Sequence, residues 1–127
     1  MKYLLDTHTA IWAFGEKAKL SATAMSILDD TSIHLCVSVV SAWEIAIKSS
    51  IGKANIVGGS TLFLEKMRKN GIEMLDLQGY HVKHIESMPF HHRDPFDRML
   101  VSIAISEGMT ILTADKNIQK YNVLWKW

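Results

Sequence analysis

Short apolar runs of strand length alternate along this chain with longer segments of helical period, and this alternation limits the folds open to it. The clearest strands are predicted at residues 2–5, 33–40 and 110–113, and each is followed by a segment with helical spacing or a cap signal. Strands that alternate with helices form a parallel sheet with helices on both faces. The sequence therefore predicts an α/β fold.

Cap and turn residues locate the remaining elements. Asp94 and Pro95 predict the start of a helix, because Asp caps and Pro fits the first helical position, and Gly108 predicts its end. Other helices are predicted at 10–14, 22–28, from 41 onward, at 61–69, around 81–87 and at 116–121. A loop is predicted at 52–60, and further strands at 73–77 and 122–125.

Length and composition predict one domain over residues 1–127, since 48% of the residues are hydrophobic and can form a single core. Cys36 is the only cysteine, which excludes an internal disulfide and is typical of a reducing cytoplasm. No segment approaches the roughly 18 apolar residues of a membrane span, and Asp6 interrupts the apolar start. We expect a cytoplasmic protein without a membrane partner. A net charge of +1 is too small for a protein that binds nucleic acid by charge alone.

Acidic residues fall where the predicted strands end. Asp6 directly follows the first strand, Glu44 is expected in the first turn after the second, and Asp115 comes two residues after the strand at 110–113. Asp94 and Asp97 share one face of a first helical turn. Because open parallel sheets form their active sites at the carboxyl ends of the strands, we expect these carboxylates to converge.

Such a cluster predicts a divalent cation. Buried carboxylates repel one another and raise one another's pKa, and a cation removes this conflict. Ligands that are all oxygen favour Mg²⁺ or Mn²⁺ over zinc. A hard cation held by carboxylates suits the hydrolysis of phosphodiester bonds. The sequence thus predicts a nuclease site.

Each acid also has a purely structural interpretation. Asp6, Asp94 and Asp115 are each placed to cap the helix that follows. Ser41 and Glu44 have the spacing of a capping box, in which the glutamate accepts from the serine amide. Capping explains each acid singly, but it explains less well why all four meet at one edge of the sheet.

Other polar residues are assigned with less weight. Arg98 follows Asp97, and two roles are open: a contact to substrate phosphate, or an ion pair with Asp94 and neighbouring acids, which we favour. The histidines match no known spacing of zinc ligands, so zinc is not predicted; they include His81, His84, His91 and His92. Aromatic residues at helical positions are assigned to core or dimer contacts rather than base stacking. These are Trp12, Phe14 and Trp43.

Four segments, in order along the chain, carry a resemblance to a known family. They are Tyr3-Leu4-Leu5-Asp6-Thr7-His8, Ser41-Ala42-Trp43-Glu44-Ile45-Ala46-Ile47-Lys48, His92-Arg93-Asp94-Pro95-Phe96-Asp97-Arg98 and Leu112-Thr113-Ala114-Asp115. With these segments the chain resembles PIN-domain proteins, in particular the VapC-like toxins. The second and third segments are the more specific ones.

The resemblance implies a PIN-like three-layer α/β/α sandwich around a central parallel sheet of four to five strands. It implies an endoribonuclease that depends on Mg²⁺ or Mn²⁺, hydrolyses RNA phosphodiester bonds and acts as the toxin of a toxin-antitoxin pair. A cognate antitoxin is the implied partner, with a basic side chain placed among the acids. A homodimer is also implied, and the helix face of Trp12 is a candidate contact.

The resemblance also assigns site residues by position. Asp6, Glu44 and Asp97 match the family's metal-binding acids, and Asp115 matches a more variable fourth. Secondary candidates are small hydroxyl residues near the metal, an aspartate typical of the branch, and the arginine considered above. These are Thr7, Thr113, Asp94 and Arg98.

Two alternative functions stay open. A phospho-acceptor receiver domain is also a parallel α/β fold with an Asp and Mg²⁺ pocket. It needs paired acids after the first strand and a lysine after the last, whereas this chain has a lone Asp6 and no such lysine. A catalytically silent PIN scaffold that acts only in binding is the second alternative, and the complete set of acids argues against it.

Overall fold

A computed structural model describes residues 1–53 and 56–127 of the protein. The strands are β1 (Lys2–Leu5), β2 (His34–Ser38), β3 (Glu73–Leu75), β4 (Thr110–Leu112) and β5 (Trp125–Lys126). The helices are α1 (Thr7–Ala13), α2 (Ala22–Asp29), α3 (Val39–Ser50), α4 (Gly59–Lys69) and α5 (Pro95–Glu107). Short 3₁₀ turns span Lys17–Lys19, Gly79–His84 and Ile118–Lys120.

The five strands form one sheet in the order β3-β2-β1-β4-β5, and every neighbouring pair is parallel. The predicted α/β class and the parallel sheet of four to five strands are confirmed. The chain builds outward from β1 to β2 and β3, and then returns to add β4 and β5 on the other side of β1. At such a reversal the loops leave a crevice beyond the carboxyl ends of the two central strands. The fold thus opens a crevice beyond β1 and β4.

The strands are apolar on both faces because each face is covered by helices. Tyr3 and Leu5 point toward the layer that contains α1 to α4, and Leu4 points toward the layer that contains α5. Successive side chains of a strand alternate between faces, so one short strand contributes to both cores. The three-layer α/β/α arrangement expected from the sequence is therefore observed.

The second strand is shorter than predicted, and α3 begins earlier. Residues 33–40 were predicted as a strand, but β2 ends at Ser38. The Ser38 hydroxyl accepts a hydrogen bond from the amide of Val40 at 3.0 Å and caps α3. The β-branched residues Val39 and Val40 are therefore helical, because a cap and tertiary packing outweigh a weak strand propensity. The predicted helix start at Ser41, and with it the capping box to Glu44, is wrong.

Other boundaries agree with the cap signals or move by a few residues. Asp94 caps α5 with Pro95 in its first turn, and Gly108 ends it at a φ of 66°, as predicted. The helix predicted around 81–87 is the 3₁₀ turn Gly79–His84. The loop predicted at 52–60 includes residues 54 and 55, which lie outside the described residues, and α4 already begins at Gly59.

Within residues 1–53 and 56–127, no helix is both long enough and apolar enough to cross a membrane.

Candidate metal centre

Asp6 lies at the carboxyl end of β1, and its two oxygens have different partners. Oδ1 accepts a hydrogen bond from the Thr9 amide at 2.8 Å, which caps α1. Oδ2 accepts from the hydroxyl of Thr113 at the end of β4. Burial raises the pKa of Asp6, and the hydrogen bonds from Thr113 and Thr9 oppose that rise. Asp6 is thus both a helix cap and a buried carboxyl in the crevice.

Thr113 connects Asp6 to Asp115. While its hydroxyl donates to Asp6, the Thr113 oxygen accepts from the Asp115 amide at 3.0 Å. Asp115 Oδ1 accepts from the amides of Asn117 at 2.8 Å and Ile118 at 3.2 Å. Burial acts to raise the pKa of Asp115, but hydrogen bonds from Ile118, His92 and Asn117 outweigh it and hold the pKa below its ordinary value. Asp115 is therefore held in its ionised form by its hydrogen-bond partners.

His92 joins Asp97 to Asp115, and this residue was not predicted for the site. Its Nε2 lies 3.0 Å from Asp97 Oδ2 and 3.1 Å from Asp115 Oδ2. Its Nδ1 accepts a hydrogen bond from the Asp94 amide at 3.1 Å, so in the neutral ring the proton is on Nε2. His92 therefore donates to two carboxylates. The sequence signals were its place just before the Asp94 cap and at the start of the third segment that resembles the family.

Asp97 is the acid whose pKa the charges of its neighbours change most. Burial, together with the negative charges of the surrounding acids, raises the pKa of Asp97 to about 8. Those acids are Asp94, Glu44, Asp6 and Asp115. Unless a cation is bound, ionising all of these acids together at neutral pH has a large electrostatic cost.

Glu44 reaches the crevice from the second turn of α3 rather than the first turn that was predicted. Its side chain is buried, and Oε1 accepts from the Thr7 hydroxyl at 2.9 Å. The hydroxyl oxygens of Thr7 and Ser41 also lie 2.8 Å apart, within hydrogen-bond distance. Oε2 accepts from Lys48 Nζ at 2.5 Å, and this hydrogen bond raises the pKa of Lys48. Glu44 is therefore held by Thr7 and Lys48 and has no capping role.

Arg98 forms hydrogen bonds with neutral groups rather than with the nearby acids. Its buried guanidinium donates to the Pro89 carbonyl at 2.8 Å and to the Tyr121 hydroxyl at 3.0 Å. It also donates to the carbonyls of Met88 and Ile85, at 3.3 and 3.4 Å. The preferred ion pair between Arg98 and Asp94 is wrong, because the arginine points into the loop before α5 and satisfies its carbonyls. Its role is to hold that loop, which carries His92.

Among the described residues, the tightest group of donors here is His92, Asp97 and Asp115, whose ligand atoms lie within 4.8 Å of one another. Asp6 and Glu44 lie around this group and act on Asp97 through their charge. Asp94 Oδ1 accepts from the amides of Phe96 at 2.8 Å and Asp97 at 3.2 Å, so one of its oxygens is occupied by capping. Carboxylate oxygens that repel one another in a partly buried site are a donor set that fits a hard divalent cation.

A groove of about 510 Å³ runs away from the crevice between α1, α3 and α4. Thr7, Glu44 and Lys48 line its polar end, and Ile45 and Phe63 line its apolar part. A segment that lies in this groove would therefore reach the acids at one end.

Comparison with known proteins places this geometry in a family. The family model described as the PIN domain matches residues 3–124. Comparison with curated protein sequences gives no match.

Solved structures with the same fold are also found. VapBC2 from Rickettsia felis, bound to a DNA fragment from its promoter, has a TM-score of 0.74 at 14% identity, covering 99% of this chain and 98% of that one. DNA-bound VapBC from Salmonella typhimurium has a TM-score of 0.69 at 17% identity, with 99% and 97% covered. VapBC-1 from nontypeable Haemophilus influenzae has a TM-score of 0.62 at 18% identity, with 99% and 97% covered. With the family model spanning nearly the whole chain, this protein belongs to the PIN domain family.

Proposed function

We propose that this protein is a metal-dependent endoribonuclease that hydrolyses RNA phosphodiester bonds and acts as the toxin of a toxin-antitoxin pair. The observation that carries the proposal is Asp97, a carboxyl that lies among four other acids and whose pKa is raised to about 8. Such a site is stable in its charged form only with a cation, and hard cations bound by carboxylates support phosphodiester hydrolysis.

The chain's own residues divide into ligands and supports. Asp6, Glu44 and Asp97 are the proposed ligands, with Asp115 as a fourth. Mg²⁺ or Mn²⁺, when bound, would stabilise negative charge on the phosphoryl oxygens and activate a water molecule. Residues outside the ligand set then fix the orientation of the acids, and such supporting contacts typically change metal affinity by about 10- to 100-fold.

Four side chains supply this support. Thr113 donates to Asp6, and Thr7 donates to Glu44. His92 donates toward Asp97 and Asp115, and Lys48 offsets part of the negative charge at Glu44. Thr7 and Thr113 were expected near the metal from the family resemblance, whereas Lys48 and His92 were not assigned to the site.

The test is RNA cleavage by the purified protein in EDTA, and after addition of Mg²⁺ or Mn²⁺. We expect cleavage only with metal, and none by Asp97→Asn or Asp6→Asn. Binding of Mn²⁺ alone is measured in parallel by calorimetry. Metal binding without cleavage of any RNA would favour the catalytically silent scaffold. Cleavage by Asp97→Asn at the parent rate would show that the assigned ligands are wrong.

The receiver-domain alternative is set aside. Receiver domains have the strand order 2-1-3-4-5, whereas this sheet has the order 3-2-1-4-5. The match of the PIN domain model to residues 3–124 also argues against a receiver domain.

The toxin role rests on the similar structures and on the groove. Three of the similar structures are VapBC proteins, which supports an antitoxin as the partner here. We propose that a segment of the antitoxin lies in the groove, with apolar side chains near Phe63 and an Arg or Lys at the end lined by Glu44. Arginine fits best, because its planar guanidinium binds a carboxylate through two hydrogen bonds.

Co-expression with the neighbouring open reading frame tests this partner. We expect growth to be rescued, and we expect rescue to fail when the basic residues of the partner's C-terminal segment are replaced by Ala. Phe63→Ala should not be used as a control here because Phe63 is a core residue. Rescue that survives loss of every basic residue in that segment would contradict the proposed mode of inhibition.

A homodimer is also proposed, but through a different helix face. Trp12 packs edge-on against Trp127, with their ring centroids 6.0 Å apart, so the chain's own end covers part of that candidate contact. A better candidate is the exposed apolar stripe of α3, in which large side chains recur every four residues. It consists of Val39, Trp43 and Ile47, and it continues to Ile51, the residue that follows the last turn of α3. Large exposed patches of this kind commonly mark interfaces.

A further inference from the structure

A second group of metal-ligand side chains lies at the opposite end of the sheet from the crevice. His34 Nε2, Cys36 Sγ and a Glu73 carboxylate oxygen lie within 4.8 Å of one another. His34 Nε2 is 2.5 Å from Glu73 Oε2, and the Cys36 thiol donates to the same oxygen at 3.6 Å. None of these residues takes part in the proposed nuclease site.

Strand geometry brings the three side chains together. His34 and Cys36 are two residues apart in β2, so they point to the same face of the sheet. The parallel register pairs Cys36 with Glu73 of β3, which places the glutamate beside the thiol. The group therefore depends on backbone pairing rather than on long side chains that happen to meet.

Burial leaves the group open on one side. Cys36 is fully buried in the sheet, while the side chains of His34 and Glu73 are about half exposed, at 45% and 46%. An ion would reach the sulfur from solvent by passing between the histidine and the glutamate. The thiol sulfur, a soft donor, distinguishes this group from the crevice, where the donors are carboxylate oxygens and the His92 imidazole.

We propose that His34, Cys36 and Glu73 form a binding site for a thiophilic divalent metal, with Zn²⁺ as the best fit. Zinc takes imidazole nitrogen, thiolate sulfur and carboxylate oxygen, and a three-residue site leaves a fourth position open. On binding, the Cys36 thiol gives its proton to solvent and the sulfur becomes a ligand as thiolate. The hydrogen bond between His34 and Glu73 opens as both turn toward the metal.

The proposed metal would hold the edge strand β3 to its neighbour β2. β3 has only three residues and pairs with β2 alone. A metal held by His34 and Cys36 of β2 and by Glu73 of β3 would cross-link the two strands. We therefore expect Zn²⁺ to slow amide exchange in β3, which Mg²⁺ should leave unchanged.

Titration of the full chain with Co²⁺ tests the site by spectroscopy. A thiolate-to-cobalt charge-transfer band can come only from Cys36, the single cysteine, whatever Co²⁺ also binds at the carboxylates. We expect the band to reach a plateau, to disappear when Zn²⁺ is added, and to be absent in Cys36→Ser. His34→Gln and Glu73→Gln should each weaken Co²⁺ binding at least about tenfold.

The controls separate this site from the nuclease centre. Asp97→Asn should keep the band, and His84→Gln should match the parent in affinity. Because His34 and Glu73 are half exposed, their variants should fold even if Cys36→Ser does not. No charge-transfer band at saturating Co²⁺, or an unchanged affinity in both His34→Gln and Glu73→Gln, would overturn the proposal.

Discussion

At the scale of single residues, Asp97 links the stability of the metal-free protein to pH. Its pKa is raised from 3.8 to about 8 in the folded state, mainly by burial. A raised pKa means that the protonated carboxyl favours folding, so its contribution to stability is complete below about pH 4 and is lost as the pH rises through about 8. Any cation that binds Asp97 should reverse this trend, because the metal favours the charged form.

We expect Asp97→Asn to remove this pH dependence, because the amide stays neutral. In EDTA, the melting temperature of Asp97→Asn should exceed that of the parent by an amount that grows from about pH 4 to about pH 8. Mg²⁺ should raise the melting temperature of the parent more than that of the variant. Thermal melts across pH, with and without Mg²⁺, measure both effects. If the melting temperatures of the two proteins change with pH in parallel, the pKa of Asp97 is not raised in the folded protein.

Glu44 gives a second test at the residue scale. Glu44→Gln keeps an oxygen that can accept from Thr7 but removes the charge, so we expect RNA cleavage to fall more than about 100-fold. Stability should change by less than about 1 kcal/mol, because Lys48 is 39% exposed and its ammonium can be solvated when the charge of Glu44 is removed.

α4 offers a matched control for Glu44. Glu65 pairs with Lys69 at 3.1 Å with the same spacing as Glu44 and Lys48, but on an exposed surface. Glu65→Gln should therefore leave cleavage unchanged. Equal activity in Glu44→Gln and Glu65→Gln would remove Glu44 from the ligand set.

At the scale of elements, the start of α5 joins a cap to the acidic site. One oxygen of Asp94 accepts from two amides of the first turn, and that turn carries Asp97. Since Asn caps nearly as well as Asp, Asp94→Asn should keep stability, whereas Asp94→Ala should lose about 1 kcal/mol. Urea unfolding of the two variants measures the difference.

Activity then separates the cap from the charge of Asp94. If Asp94 acts by positioning Asp97, cleavage by Asp94→Asn should stay within about tenfold of the parent. We expect this result. A loss as large as that of Asp97→Asn would instead make Asp94 a further ligand.

The start of α3 shows how a helix boundary moves a functional residue. The cap at Ser38 places Glu44 one turn deeper in the helix than a start at Ser41 would. The carboxylate nevertheless reaches Thr7 and the crevice, because α3 packs beside the sheet edge where Asp6 lies. The residue was predicted correctly as a candidate, but its local environment was not.

At the scale of the whole molecule, the α3 stripe predicts a contact between copies of the chain. Ile47 lies in the middle of the stripe and is 37% exposed. We expect Ile47→Asp to convert a dimer to a monomer in light scattering, because a charge buried at an apolar interface is costly. Leu124→Asp is the control, since Leu124 is more exposed and lies outside the stripe. A parent that is already monomeric would contradict the proposed interface.

Tertiary packing decided several roles that the sequence left open or assigned wrongly. Arg98 was paired with acids because it follows Asp97, but its guanidinium meets buried carbonyls such as that of Pro89 on the other side of the helix. His92 was grouped with histidines that lack metal spacing, but the loop before α5 folds it against Asp97 and Asp115. Spacing along the chain could not show either contact, because both depend on how a loop packs.

The sequence by itself determined the class of the fold and the end of the sheet at which the acids gather. The spacing of apolar residues along the chain distinguishes strands from helices. A parallel sheet then brings the residues after β1 and β4 to the same edge, so Asp6 and Asp115 could be predicted to lie near each other. Only the tertiary structure decided which groups support them. Hydrogen bonds and burial depend on distances between distant segments, and these distances are set when β1, α3, α5 and the loop of His92 pack against one another.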